Sequence, residues 1–461
     1  MSPKTSSRFG VTTAQHQQRG LSLIELMVAI TLGLLVMAAV LALFLNVTRT
    51  NTEMAKTNRQ IENGRFAIQV LQDDLAHAGF WGTFVPNFDD LTSRGAPLDA
   101  PDAIPNPCLA YSTANWTAAH TKNLVGIPVQ GSAGTCTVVA NQQANTDVLV
   151  VRHAQNCVAG VGDCEAEDAN KLYFQASLCE AEMSGIAQNV STTNSMSLNA
   201  NASATDDFYN GAIIRIVEGN GKGLVGKITD YEGSTRVATV ENITVPPGAS
   251  WAYVNNGSFY AFGNGYALGT SGFIFHKRNC TDAAEKRKFV SHIYYIRNFA
   301  STAGDGIPTL MRSTLDLSSG ALAHQAAQPL VEGIEGFRVE YGIDDTSDAG
   351  NAVNNSAAIA WADPFNLLSP TNRGDGVPDR WVGAAGVTCT SADDCDAANV
   401  VAVRVHVLAR SESLTRGYTD SKTYRLGSIA AAMGPFNDGF KRHVFSTTIR
   451  LVNPAGRRDT P

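Results

Sequence analysis

The sequence predicts an α+β fold: a long N-terminal helix packed on an antiparallel β-sheet, with a large β-rich lobe inserted between the two. Three observations carry that prediction. An uncharged apolar run from Leu26 to Leu45 continues into a proline-free stretch that reaches His77. Beyond residue 80 the composition turns to Gly, Asn, Ser and Thr with short runs of alternating character. Eight cysteines, an even number, suit a domain that folds outside the reducing cytosol.

The elements follow in chain order, with residues 1–20 as a leader, 21–45 as a membrane-spanning helix and 46–79 as its amphipathic continuation. The lobe covers 80–288, and 289–461 form the C-terminal antiparallel sheet region. Twenty residues in a helix span roughly 30 Å, the thickness of a bilayer's hydrocarbon core. Glu25 stands at the mouth of that span, where a carboxylate costs about 2.5–3.5 kcal/mol unless something neutralises it. A cut after Gly20 would expose a free amine on Leu21, on this chain or on a neighbour, that could pair with it. The leader carries Lys4, Arg8 and Arg19 and no acid, so the N-terminus is expected to stay cytoplasmic while the rest is exported. An ordinary secretory signal has a shorter apolar core with its cleavage site after it; here the cut would precede the core.

Past the membrane, Met54, Ile61, Ile68 and Leu75 recur every seven residues with Leu71 beside them, which predicts one apolar stripe read as core. Continuous from Ser22, the helix would be roughly 80 Å long. Gly64 is its weak point, at about 1 kcal/mol relative to alanine. Gly79, Gly82 and Pro86 end it, and Phe80 and Trp81 are expected to pack where helix meets head.

Strands are predicted at Thr146–His153, Ala212–Glu218, Gly226–Tyr231, Arg236–Val245 and Ser258–Phe262. A stronger set follows at Phe289–Arg297, Thr309–Ser313, Ile334–Tyr341, Val400–Arg410 and Val444–Leu451. Val401, Val403, Val405 and Val407 alternate with Ala402, Arg404, His406 and Leu408, the period of a strand with one buried face.

Charge and motifs narrow the function classes. The chain holds 35 basic and 42 acidic residues; without the leader's three bases the balance is 32 minus 42, or −10. That argues against nucleic acid as a partner, and the basic run Lys286-Arg287-Lys288 reads as a solvated loop. Eight cysteines allow 105 connectivities. Cys157–Cys164 and Cys389–Cys395 are the local candidates, and the partners of Cys108, Cys136, Cys179 and Cys280 stay open. With no C-x-x-C, H-x-x-x-H or H-E-x-x-H, zinc is not expected. Gly221-Lys222-Gly223-Leu224-Val225-Gly226 fits G-x-G-x-x-G, yet the alternating Lys227–Gly233 that follows predicts a hairpin rather than the helix a dinucleotide needs. His406 and His292 read as ordinary sheet positions. There is no nucleophile elbow and no helical histidine pair, and the chain is read as no enzyme.

The N-terminal pattern resembles the class III signal peptide of the type IV pilin family. Gly20 matches the cleavage glycine, Leu21 the new N-terminus (usually Phe in the family) and Glu25 the fifth-position glutamate. The opening Arg19–Ala29, Asn63-Gly64-Arg65-Phe66-Ala67, Asp74–Phe80, Glu332–Gly342 and Arg442–Ile449 together look like the PilW-type minor pilins, leaving the middle of the chain uncovered. The resemblance implies a non-enzymatic, low-abundance subunit that primes assembly in a tip complex and helps present a tip adhesin. It implies other minor pilins, the major pilin, prepilin peptidase and the inner membrane as partners. It implies a single-pass inner-membrane protein with a periplasmic head, found at the pilus tip after assembly. The alternatives are a minor pseudopilin of a type II secretion system and a membrane-anchored periplasmic binding protein or hydrolase. Loss of twitching motility would point to the pilus and loss of exoprotein secretion to the secretion machine.

One metal site is considered. Thr371–Asp379 resembles a calcium loop, with Asp375 and Gly376 in its fifth and sixth places. Thr371 and Arg373 are poor ligands, so Asp344 and Asp345, with Asp379, would have to fold back to complete it. The alternative is a β-turn in which Asp and Gly supply the turn geometry. No cofactor is expected beyond that calcium ion.

Overall fold

The computed structural model describes residues 22–93, 95–131, 136–179, 182, 184–262, 265–318 and 320–459 of the 461-residue chain. Two compact units divide between Thr57 and Asn58. The helix Leu23–His77 has 55 residues, and in the first unit the side chains from Ser22 to Thr52 are exposed.

In the second unit the helix buries Gln60, Gly64, Ala67, Leu71 and Leu75. Leu71 and Leu75 of the predicted stripe are fully buried in this seam, but its other members are not: Met54 is exposed, and Ile61 and Ile68 are only half-buried at the edge. Small residues decide the difference, because they let the helix approach the sheet. A Cβ on Gly64 would overlap the ring of Phe445, so the predicted weak point is where the strand's aromatic ring rests on the helix. Gln60 follows the same face for a polar reason, donating through Nε2 to the carbonyls of Ala409 at 2.7 Å and Lys441 at 3.1 Å.

That seam packs on a four-stranded antiparallel sheet, in the order Arg380–Gly383, Ile334–Ile343, Val400–Arg410, Arg442–Arg450. Val339 opposes Val405, and Val405 opposes Thr447. Ala67, Leu71 and Leu75 share one core with Phe337, Tyr341, Val403, Val407 and Ile449. The alternation in Val400–Arg410 predicts one buried face, yet both are covered. The excursion 411–441 supplies the second cover: Leu408, Leu426 and Met433 surround Gly336, and Glu340 accepts from the backbone N–H groups of Ser428 at 2.5 Å and Ile429 at 3.0 Å.

The predicted lobe of 80–288 is distributed over two sheets. Leu149–Ala154 pairs with Lys286–Arg297 in an eight-stranded sheet that also contains Thr309–Ser318, so the boundary at 288 falls inside a strand. The basic run opens that strand, where Lys286 pairs with Glu167 at 2.5 Å and Lys288 with Asp316 at 2.9 Å. The predicted solvated loop is therefore a strand, because acids remote in sequence face Lys286 and Lys288. The residues that do form a sheet and core of their own lie between Ser184 and Phe262: seven strands around Met196, Ile214, Ile228, Trp251 and Tyr260. The G-x-G-x-x-G run is the hairpin between Ile213–Glu218 and Val225–Glu232. Trp81 is buried against Phe174 and Phe289, with ring centroids 5.2 and 6.0 Å away.

All eight cysteines are paired. Cys157–Cys164 and Cys389–Cys395 close the two short loops. Cys108–Cys136 and Cys179–Cys280 are the long-range pairs, the latter spanning the separate seven-stranded sheet.

Candidate functional site

Gly20 and Leu21 lie outside the described residues, which begin at Ser22. The helix opens on a reciprocal cap. The Glu25 N–H donates to Ser22 Oγ at 3.2 Å, and the Ser22 N–H donates to Glu25 Oε2 at 3.0 Å. This is the S-x-x-E capping box, which satisfies two N–H groups that a helix start leaves without partners. Its signal stands in the sequence as Ser22-Leu23-Ile24-Glu25, with the acid three residues after the serine, so Glu25 is a helix cap as well as a charge at the membrane.

From Ser22 to Thr48, Glu25 is the one charged residue, and the helix is long and apolar enough to cross a membrane. The hydroxyl of Thr31 donates to the carbonyl of Met27 at 2.7 Å, which spares it an unmet hydrogen bond in hydrocarbon. The segment leaves an apolar surface for lipid or for other helices.

The four aspartates of the calcium candidate do gather around one turn, and each carboxylate has a partner there. Asp344 accepts from the N–H groups of Gly376 at 2.9 Å and Asp375 at 3.2 Å, and pairs with Arg458 at 3.2 Å. Burial pushes the Asp344 carboxyl above its ordinary range against the lowering pull of Arg458. Asp345 pairs with Arg380 at 2.6 Å. Asp379 accepts from the N–H groups of Asp345 and Thr346 at 2.9 and 2.8 Å, and Asp375 from that of Val377 at 2.8 Å. The positive charge facing Asp344 and Asp345 is guanidinium, and the remaining acceptors hold the turn.

Three of the quoted motifs, Asn63–Ala67, Glu332–Gly342 and Arg442–Ile449, meet in space. Asn63 Nδ2 donates to the Glu332 carbonyl at 3.1 Å, Gly64 faces the Phe445 ring, and Arg442 pairs with Glu335 at 2.5 Å. One stretch of helix, the start of one strand and the start of another therefore form a single joint. Arg442 and Glu335 were not singled out from sequence, since a salt bridge between residues 107 apart leaves no local pattern.

Residues 293–453 match the family model described as Type IV Pilus-assembly protein W, and residues 15–41 match the Prokaryotic N-terminal methylation motif. No curated protein and no solved structure matches the chain.

Proposed function

We propose that this chain, a type IV pilus-related pilin with a Pilus-assembly protein W domain behind a prepilin-type N-terminus, is a minor pilin that primes pilus assembly. It would do so within a tip complex, beside other minor pilins and the major pilin, and help present a tip adhesin. The observation that carries the reading is the capped apolar helix, with Glu25 five residues beyond Gly20, placed before that domain. In this reading prepilin peptidase cuts after Gly20 and Leu21 becomes the methylated N-terminus. The chain waits in the inner membrane with its head in the periplasm, and its role is structural rather than catalytic.

Glu25 then has two duties. In the single chain Oε2 caps the helix; in a bundle of helices the carboxylate also meets the N-terminal amine of a neighbour. An amine left without that partner in the apolar bundle costs about 2.5–3.5 kcal/mol. Glu25→Ala is therefore expected to be cut almost normally but to enter filaments several-fold less, by immunoblot of sheared pili against whole cells. Normal pilus number in that variant would remove the pairing role.

The reading itself is tested by the mass of the N-terminal peptide from membrane-extracted protein, in cells with and without prepilin peptidase. A peptide beginning at methylated Leu21, seen only with the peptidase, is the expected result. A peptide keeping the basic leader in both strains would make the chain a signal-anchored periplasmic protein and withdraw the roles given to Gly20, Leu21 and Glu25.

A further inference from the structure

Away from the N-terminal device, three residues distant in sequence converge where the helix crosses the eight-stranded sheet. Asp74 comes from the last turns of the helix, His153 from the strand Leu149–Ala154 and His292 from Lys286–Arg297. His153 Nε2 lies 3.1 Å from Asp74 Oδ1, His292 Nδ1 lies 2.9 Å from Asp74 Oδ2, and the three ligand atoms all fall within 4.8 Å of one another. A tetrahedral ion with bonds of about 2.0–2.1 Å holds its ligand atoms roughly 3.4 Å apart. The observed spacing needs only small side-chain movements to reach that.

The contacts behind the ligand atoms suit a metal centre. His153 Nδ1 donates to the carbonyl of Ala154 at 2.9 Å, which leaves Nε2 as the ring atom available to a metal ion. A ligand histidine held through its other ring N–H by a backbone carbonyl is the usual outer-shell arrangement. Tyr294 supplies the same support to the carboxylate, donating its hydroxyl to Asp74 Oδ2 at 2.9 Å. On one side the centre opens into a cleft of about 510 Å³ that His77 also lines, which leaves a coordination position for water or a further ligand.

We propose that Asp74, His153 and His292 bind one divalent transition-metal ion of the zinc class, tying the end of the helix to two strands of the sheet. Two imidazoles and one carboxylate suit zinc or its neighbours, whereas calcium and magnesium ask for a shell of oxygens. The ligands lie 79 and 218 residues from Asp74 along the chain, which is why no spacing motif announced them.

The test uses the untagged full chain in detergent micelles, stripped with a chelator and titrated with Co²⁺ while visible absorption is followed. One equivalent should give saturable d–d bands that Zn²⁺ abolishes, and Zn²⁺ should raise the melting temperature. His153→Gln and His292→Gln should lose the bands. Tyr294→Phe, which keeps the ring, should retain them with affinity about 10–100-fold weaker. No saturable band in the wild-type chain, or equal affinity in the two histidine variants, would overturn the proposal.

Discussion

Arg442→Ala is expected to destabilise the head by about 3–5 kcal/mol, the cost of leaving buried carboxylates without their cation. The Arg442 side chain is fully buried. Its guanidinium pairs with Glu335 at 2.5 Å, Asp420 at 2.8 Å and Asp438 at 2.7 Å, and lies 3.7 Å from the centre of the Phe436 ring. Burial alone would lower its pKa; the three carboxylates outweigh that and raise it. Asp420 is the critical partner, because it is itself fully buried and also accepts from Tyr424 at 2.9 Å. The cluster ties the excursion 411–441 to the start of the last strand. Its loss should therefore show as earlier denaturant unfolding of the detergent-solubilised chain, together with new proteolytic cuts inside 411–441. Arg442→Lys should recover little, since an ammonium lacks the planar fork that meets three acids. An unchanged midpoint in Arg442→Ala would mean that the acids find water or other cations.

The second large effect is expected from the disulfide Cys179–Cys280, whose partners are 101 residues apart. Cross-linking a loop of that length restricts the unfolded chain by about 4–5 kcal/mol in the chain-entropy account. The loop contains the seven-stranded sheet with its own core, so the loss should be local. The double variant Cys179→Ser/Cys280→Ser should become sensitive to protease between 184 and 262 at temperatures where the four-stranded sheet still resists. Cys157–Cys164, with partners only 7 residues apart, should cost clearly less when removed. Equal effects from the two pairs would argue that native-state contacts, rather than loop length, set their worth.

Much of the fold was legible because it is written locally. An uncharged run of twenty residues reads as an apolar helix, and the ten predicted strands lie within a few residues of observed ones, whereas short strands such as Tyr173–Ala176, Gln328–Glu332 and Arg380–Gly383 carry too few residues to show a period. The misreadings share one cause, that the deciding partner is remote. Gly64 reads as a weak point until Phe445 is seen against it, and Lys286-Arg287-Lys288 reads as a loop until Glu167, Glu165 and Asp316 are seen opposite. Apolar bulk points to Met54, Ile61 and Ile68, whereas close approach to the sheet selects Gly64 and Ala67. The capping box is a different case: Ser22 and Glu25 carry the signal within one turn.

By itself, then, the sequence determined the apolar helix with its glutamate, the acidic character of the chain beyond it and the main antiparallel strands. These follow from charge, length and periodicity within a few residues. Only the tertiary structure decided which face of the helix is buried, where the lobe separates, which cysteines join across 101 residues, and that Asp74, His153 and His292 meet. Those outcomes depend on the register and packing of segments far apart in the chain, and the energies that select them arise only when the segments touch.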